Sequence, residues 1–213
     1  VFCFRRLKDK LGWHIVARPY HSAVNGRGCD VDCEPIDEYA ADGNLAFAHD
    51  VMVGWDRRFG GAGVIYCEPA WRHGFVKFMA KAGVEVPSKL YRQYLGNVRA
   101  IVRRAGCPAY VLMGKSMIRQ MSPDAVVDVY MPVHGGWAFY GLYGGASRNV
   151  HKKTTLQAER FICEKAQGPV LDFCCGYGHI AEQCMEHGKN WILSDVNPKC
   201  IGYIARRFMG YGG

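Results

Sequence analysis

The residues with the plainest chemical capacity lie in two runs, Val170-Leu171-Asp172-Phe173-Cys174-Cys175-Gly176-Tyr177-Gly178 and Ser194-Asp195-Val196-Asn197-Pro198. In the first, an apolar pair leads into a carboxylate and then two glycines, which allow a tight turn where backbone approaches a ligand closely. In the second, another carboxylate closes an apolar run about 20 residues beyond the glycines, the separation at which an acid in a strand-helix-strand unit reaches a ribose diol. Together they could hold a nucleotide-type cofactor. A third set, Glu68-Pro69-Ala70-Trp71, follows the apolar run Val64-Ile65-Tyr66-Cys67 and joins an acid, a rigid turn and a broad aromatic surface.

The elements that must position these residues can be read around them. Gln167-Gly168-Pro169 punctuate the approach to a short buried strand centred on Val170-Leu171. A helix from His179 to His187 closes at Gly188, where a glycine cap is expected, and Trp191-Ile192-Leu193 forms the next strand. Gly176-x-Gly178-x-x-Ala181 also fits the dinucleotide fingerprint, so a nicotinamide cofactor has to be weighed. Asp172 discriminates. A pyrophosphate needs a turn free of negative charge at the helix N-terminus, whereas a carboxylate at the strand end suits a ligand carrying an ammonium and a sulfonium, which is S-adenosyl-L-methionine.

In these residues the chain resembles the amino-methylating DNA methyltransferases, whose hallmark is Val-Leu-Asp-Pro-Phe-x-Gly-x-Gly followed by Asp-x-Asn-Pro. It departs by lacking the Pro after Asp172 and by placing Phe173 one position early. The resemblance implies a Rossmann-like class I methyltransferase fold: a mostly parallel twisted sheet with a β-hairpin edge on its C-terminal side and helices on both faces. It also implies a cofactor site built from Asp172, Phe173, Cys174, Gly176, Gly178, Asp195 and Asn197. Asp50, after His49, falls where the family places an acid near the adenine of the cofactor. His151 and Thr154 fall in the segment ahead of the cofactor strand, which here loses the family's two prolines.

The catalytic tetrapeptide of the family is Asp-Pro-Pro-Tyr or a close variant, and Glu68, Pro69 and Trp71 stand in its place, with Ala70 for the second Pro. The chemistry explains the residue types. An exocyclic amine is a poor nucleophile because its lone pair is delocalised into the ring, so the site must accept its protons. A side-chain oxygen takes one, the carbonyl of Pro69 takes the other, and the aromatic ring stacks on a base flipped from the duplex. Adenine N6 fits better than cytosine N4, because an acid rather than Ser precedes the Pro. An RNA base methyltransferase and an inactive methyltransferase-like binding or partner protein are the alternatives.

Further along the chain, Leu45 to Ala48, Val64 to Cys67 and Tyr110 to Met113 read as strands, and Val126 to Met131 with Trp137 to Leu142 as a hairpin. Ser88 is placed to cap a helix with apolar face Leu90, Tyr94, Leu95, Val98, Ile101 and Val102, stopped at Gly106. A helix from about Thr154 to Ala166 precedes the cofactor strand, and Asn197 and Pro198 open the last one. Residues 1–44 are poorly periodic, with turns at Asn25-Gly26 and Asp42-Gly43. One methyltransferase domain over 1–213 is expected, with an N-terminal extension (1–44), a catalytic half (45–150) and a cofactor half (151–213). That order is the order of the family's permuted subgroup.

Composition bounds the rest. The chain has 213 residues, 49% hydrophobic and 22% charged, which is ordinary globular usage. No apolar stretch approaches the ~18 residues of a membrane span, and Arg5-Arg6 follow Val1 to Phe4 on the wrong side for a signal peptide. A soluble intracellular protein is expected. The resemblance places it in the cytoplasm of a bacterium, or of the host if viral, in restriction-modification. A net charge of +8 suits an acidic partner, DNA in this reading. Cys29 and Cys33 are the only cysteines with loose metal spacing, and free thiols are favoured over zinc, so no metal is expected. Residues 1–44 and Gly74 to Lys89 are too short for extensive base readout. Low sequence specificity, or recognition supplied by a second subunit, follows.

Overall fold

The computed structural model describes residues 33–71 and 88–212, together with the backbone of 3–9 and 12–18. Four apolar runs, β5 (Val64–Cys67), β6 (Ala109–Met113), β9 (Val170–Asp172) and β10 (Trp191–Asp195), are buried almost throughout, as parallel strands covered on both faces must be. With β3 (Glu38–Ala41), β4 (Asn44–Ala48), β7 (Ala125–Met131) and β8 (Gly136–Tyr143) they form an eight-stranded sheet of order β3-β4-β10-β9-β5-β6-β8-β7. Neighbours from β4 to β6 run parallel, while β3, β8 and β7 add antiparallel pairings at the two sides. The expected mostly parallel sheet with a hairpin edge is therefore present.

Because side chains alternate across a strand, each run supplies both faces. Val64, Tyr66, Tyr110, Leu112, Val170 and Leu193 pack against three helices, α3 (Thr155–Lys165), α4 (His179–Glu186) and α5 (Pro198–Phe208). Ile65, Cys67, Val111, Met113, Leu171 and Ile192 face α1 (Ser88–Ala105) and the short α2 (Ile118–Met121). Thr154 caps α3 in a reciprocal box with Gln157, and Asn197 caps α5 through the amide of Lys199, with Pro198 at the first helical position. No helix among the described residues is long and apolar enough to cross a membrane.

β9 and β5 lie side by side and parallel, yet the chain leaves β9 through α4 on one face and leaves β5 towards α1 on the other. Connections that diverge in this way open a crevice at the carboxyl ends of the two strands, where α/β sheets bind their ligands.

The N-terminal segment differs from its featureless sequence pattern. β1 (Cys3–Asp9) and β2 (Gly12–Arg18) pair antiparallel in a sheet of their own, and β3 pairs with β4 across Asp42-Gly43. Both turn residues have positive φ, 50° and 78°, the geometry of a tight hairpin. β3 is an edge strand with half of its positions exposed, so it carries little of the hydrophobic alternation that betrays a strand. The turn expected at Asn25-Gly26, the cysteine at 29 and most of the expected Gly74 to Lys89 segment lie outside the described residues. Cys33-Glu34-Pro35, a second acid-proline pair, takes no regular structure and lies directly on α5, where a Cβ at Gly202 would fall 2.0 Å from the Glu34 carbonyl oxygen.

Candidate active site

The turn after β9 is held from within and from β10. Asp172 Oδ1 accepts the amide of Cys174 at 3.0 Å, and the Cys175 amide donates to the Ser194 carbonyl at 3.1 Å. Asp195 accepts twice: Oδ2 from the Gly176 amide and Oδ1 from the Asn197 amide, both at 2.9 Å. Gly176 and Gly178 have φ of 52° and 76°, a region that L side chains rarely adopt. Asp195 thus fixes the glycine turn and the start of α5 together, and a carboxylate accepting two amides still has lone pairs for ligand hydroxyls. Phe173 is fully buried against Phe59, with ring centroids 5.9 Å apart, and shapes the turn from beneath.

Asp172 is 4% exposed. Burial pushes its carboxyl well above the usual range, against the Cys174 hydrogen bond and with the charges of Glu68, Asp195 and Glu159 adding to the rise. Asp195 is raised as well, by burial, with the amides of Asn197 and Gly176 opposing. A crevice that forces carboxyls upward is suited to a cationic ligand, which lets them ionise.

Glu68-Pro69-Ala70-Trp71 follows β5 at the same crevice. Burial, reinforced by Glu159 and opposed by His179, pushes Glu68 up to about 7. The next peptides are tied to α1: the Ala70 amide donates to the Tyr94 hydroxyl at 3.0 Å, and the Tyr91 hydroxyl donates to the Ala70 carbonyl at 3.3 Å. Tyr94 also meets Cys174 Sγ at 3.6 Å, so one hydroxyl touches both turns. Trp71 packs over Gly114 at the end of β6, where a Cβ would lie 3.4 Å from its ring, and its Nε1 has no partner among the described residues.

Two residues that sequence reasoning passed over complete the polar cluster. Glu159 of α3 is 4% exposed; its Oε1 accepts from the Tyr66 hydroxyl at 2.8 Å and its Oε2 lies 3.3 Å from Nδ1 of His179, the first residue of α4. The Glu159 carboxylate beside it holds His179 up to about 9, against burial, although the side chain is 60% exposed. The sequence signal was a carboxylate beside Ala158, Ile162 and Cys163 on the apolar stripe of α3, which needs a partner to be buried.

The remaining residues are distributed less tightly. The His49 amide donates to the Asp195 carbonyl at 2.8 Å, which ties the chain just before Asp50 to the end of β10. Asp50 is exposed and its carboxylate caps the turn Val51–Val53 through the Met52 amide. Asn97 of α1 secures that turn by donating to the carbonyls of Val51 and Met52. His151 and Thr154 are not brought to the glycine turn. Lys152 and Lys153 hydrogen-bond to the outer side of β7, and the Thr154 hydroxyl is committed to its cap. Among the described residues no group of His, Cys, Asp and Glu could hold a metal ion.

The basic side chains of α1 are partly committed. Arg103 pairs with Asp124 at 2.6 Å, Arg99 reaches the Gln120 carbonyl, and Arg104 lies over the Trp55 ring.

No protein-family model matches the chain, and no curated protein matches it. Solved structures do. PvuII DNA methyltransferase, cytosine-N4-specific, is 9% identical with a TM-score of 0.50, the match covering 84% of this chain and 92% of that one. M1.HpyAVI in its SAM complex is 12% identical with a TM-score of 0.46, covering 76% and 98%. TTHA0409 from Thermus thermophilus, a putative DNA modification methylase complexed with S-adenosyl-L-methionine, is 10% identical with a TM-score of 0.45, covering 78% and 95%. At such identities a likeness speaks of fold alone, and the PvuII superposition shows the class I methyltransferase architecture.

Proposed function

We propose that the chain transfers a methyl group from S-adenosyl-L-methionine to the exocyclic amine of a base in DNA, with adenine N6 as the acceptor. The observation that carries this reading is the meeting, at the carboxyl ends of adjacent strands, of two raised carboxyls, Asp172 and Glu68, with a glycine turn tied to Asp195. The residues fit the cofactor by their chemistry. Asp172 is a buried acid that an ammonium would allow to ionise, and Asp195 has acceptor capacity left for a ribose diol. Asp50, which follows the His49 amide bonded to the Asp195 carbonyl, serves the adenine end.

When bound, the cofactor supplies an electrophilic methyl group on a sulfonium. The chain's own part is to accept protons and orient the amine. Glu68 takes one amino proton, the Pro69 carbonyl accepts a hydrogen bond from the other, and Trp71 stacks on the flipped base. Methyl transfer to the amine would leave one surplus proton on the nitrogen, and Glu68 is the group placed to take it. With a value near 7, Glu68 is matched to proton transfer at neutral pH. The acid in place of Ser favours adenine, and the chain's charge of +8 favours a polyanionic substrate.

Incubation with S-adenosyl-L-methionine carrying a labelled methyl group, on DNA and RNA in parallel, followed by nucleoside analysis, tests the proposal. Labelled N6-methyladenine in DNA is the expected product. No transfer to any nucleic acid, with the cofactor bound, would overturn it.

A further inference from the structure

The Pro69-Ala70 peptide presents two polar groups in opposite directions, the Pro69 carbonyl and the Ala70 amide, and the planarity of the peptide bond makes them turn as one. The amide donates to the Tyr94 hydroxyl at 3.0 Å, from a helix that is itself fixed by the sheet through Leu95 and Val98, both fully buried. The same hydroxyl lies 3.6 Å from Cys174 Sγ in the turn after β9. Tyr91, one helical turn earlier and stacked on Tyr94 with ring planes 25° apart, donates instead to the carbonyl of Ala70, which belongs to the following peptide.

We infer that Tyr94 is the positioning residue of the reaction: by fixing the Ala70 amide it aims the Pro69 carbonyl at the amine, and through Cys174 it registers that carbonyl against the cofactor turn. The inference rests on the methyltransferase reading given above. It also explains how the site works with Ala at position 70. A Pro there would restrict the backbone by its ring but would have no N–H to donate. Ala leaves the peptide freer and leaves a donor, and the donor is used to hold it. Sequence spacing counted Tyr94 as part of an apolar face, yet its hydroxyl joins the two turns that must meet at the reacting atoms.

The test is a set of three variants measured for turnover, cofactor affinity and stability. Tyr94→Phe removes the hydroxyl and little volume, so kcat should fall about 10- to 100-fold, the range expected for a shift of order 1 Å in a reacting group. Cofactor Kd by calorimetry should stay within about 2-fold. Tyr91→Phe, which touches the next peptide, should cost markedly less in kcat. In Tyr94→Phe the Ala70 amide is left unpaired, so adding Ala70→Pro, which deletes that amide, should recover most of the loss. The two substitutions should likewise be non-additive in urea unfolding, as contacting groups are. A loss in Tyr94→Phe expressed as a raised KM with unchanged kcat, or strict additivity of the pair in both turnover and unfolding, overturns the inference. A wild-type protein that transfers no methyl overturns the reading of function instead, and the unfolding cycle then still decides whether the hydroxyl holds the peptide.

Discussion

Replacing Asp195 by Asn tests how much of the proposed cofactor pocket hangs on one side chain. Each carboxylate oxygen accepts a backbone amide at 2.9 Å, from Gly176 on one side and Asn197 on the other. An amide has the same shape but one oxygen, so whichever way it is flipped, one of the two N–H groups faces an NH2 donor. Losing a hydrogen bond to a charged acceptor costs about 1.5–3 kcal/mol. Burial already raises Asp195, and removing its charge returns part of that cost, so the lower part of the range, about 2 kcal/mol, is expected. For a chain of this length that corresponds to about 4–8 °C in Tm. The effect on the cofactor should be separate: weakened bonds to two ribose hydroxyls, about 1.4–3 kcal/mol, correspond to about a 10- to 100-fold rise in Kd. Thermal unfolding reads the first effect and titration calorimetry with S-adenosyl-L-methionine reads the second. A variant that loses Tm yet binds the cofactor with the parent's affinity would show that Asp195 ties the two turns and touches no ribose, refuting the assignment.

Three further outcomes follow from the charged groups of the crevice. The methylation rate should rise with pH through the neutral range, because burial raises Glu68 and only its ionised form accepts the proton; a flat profile from pH 5 to 8 would count against Glu68 as the acceptor. Glu159→Gln should move His179 from about 9 towards or below the ordinary histidine range, measured by an NMR titration of the imidazole, and an unmoved resonance would show that the ion pair does not form in solution. Asp172→Asn should stabilise the cofactor-free protein at pH 8 and not at pH 4: the folded state holds the Asp172 proton more tightly than the unfolded chain, so the wild type loses stability as pH climbs from the unfolded value, near 4, towards the raised folded one. The same variant should bind the cofactor at least about 10-fold more weakly, and equal Tm gains at both pH values would remove burial of the charge as the cause.

How much of this was legible beforehand depended on whether the signal was local. Asp172, the two glycines and Asp195 are read within one strand-helix-strand unit whose spacing the backbone dictates, and their elements fell where the spacing put them. The capping of α5 by Asn197 was local too, whereas the Thr154 cap of α3 was not read from the sequence. The pairing of Glu159 with His179 is not legible, because it joins the middle of one helix to the start of another, and His179 occupies a position that the glycine motif leaves unspecified. Tyr91 and Tyr94 show a second blind spot. Helical periodicity ranks a tyrosine by its ring, whereas these two matter here through hydroxyls that reach a turn 21 and 24 residues away in the chain. His151 and Thr154, taken from the family's segment ahead of the cofactor strand, flank Lys152 and Lys153, whose backbones bond to β7, and Thr154 bridges to Tyr130, pairings that the motif alone does not specify.

Strands β4 and β5 follow one another in the chain but are separated in the sheet by β10 and β9. Both therefore lack their inner neighbour until residues 170–195 have been synthesised. A nascent chain stalled before that point presents two open parallel edges, the surfaces most prone to pairing with other chains. Insertion of the late strands is a long-range event with a heavy loop-closure cost, so refolding should be slow for the chain's size. The same wedge gives the molecule a natural seam: chain cut within 144–150 would yield two pieces that must recombine, interleaving their strands, before either could present a crevice between β9 and β5.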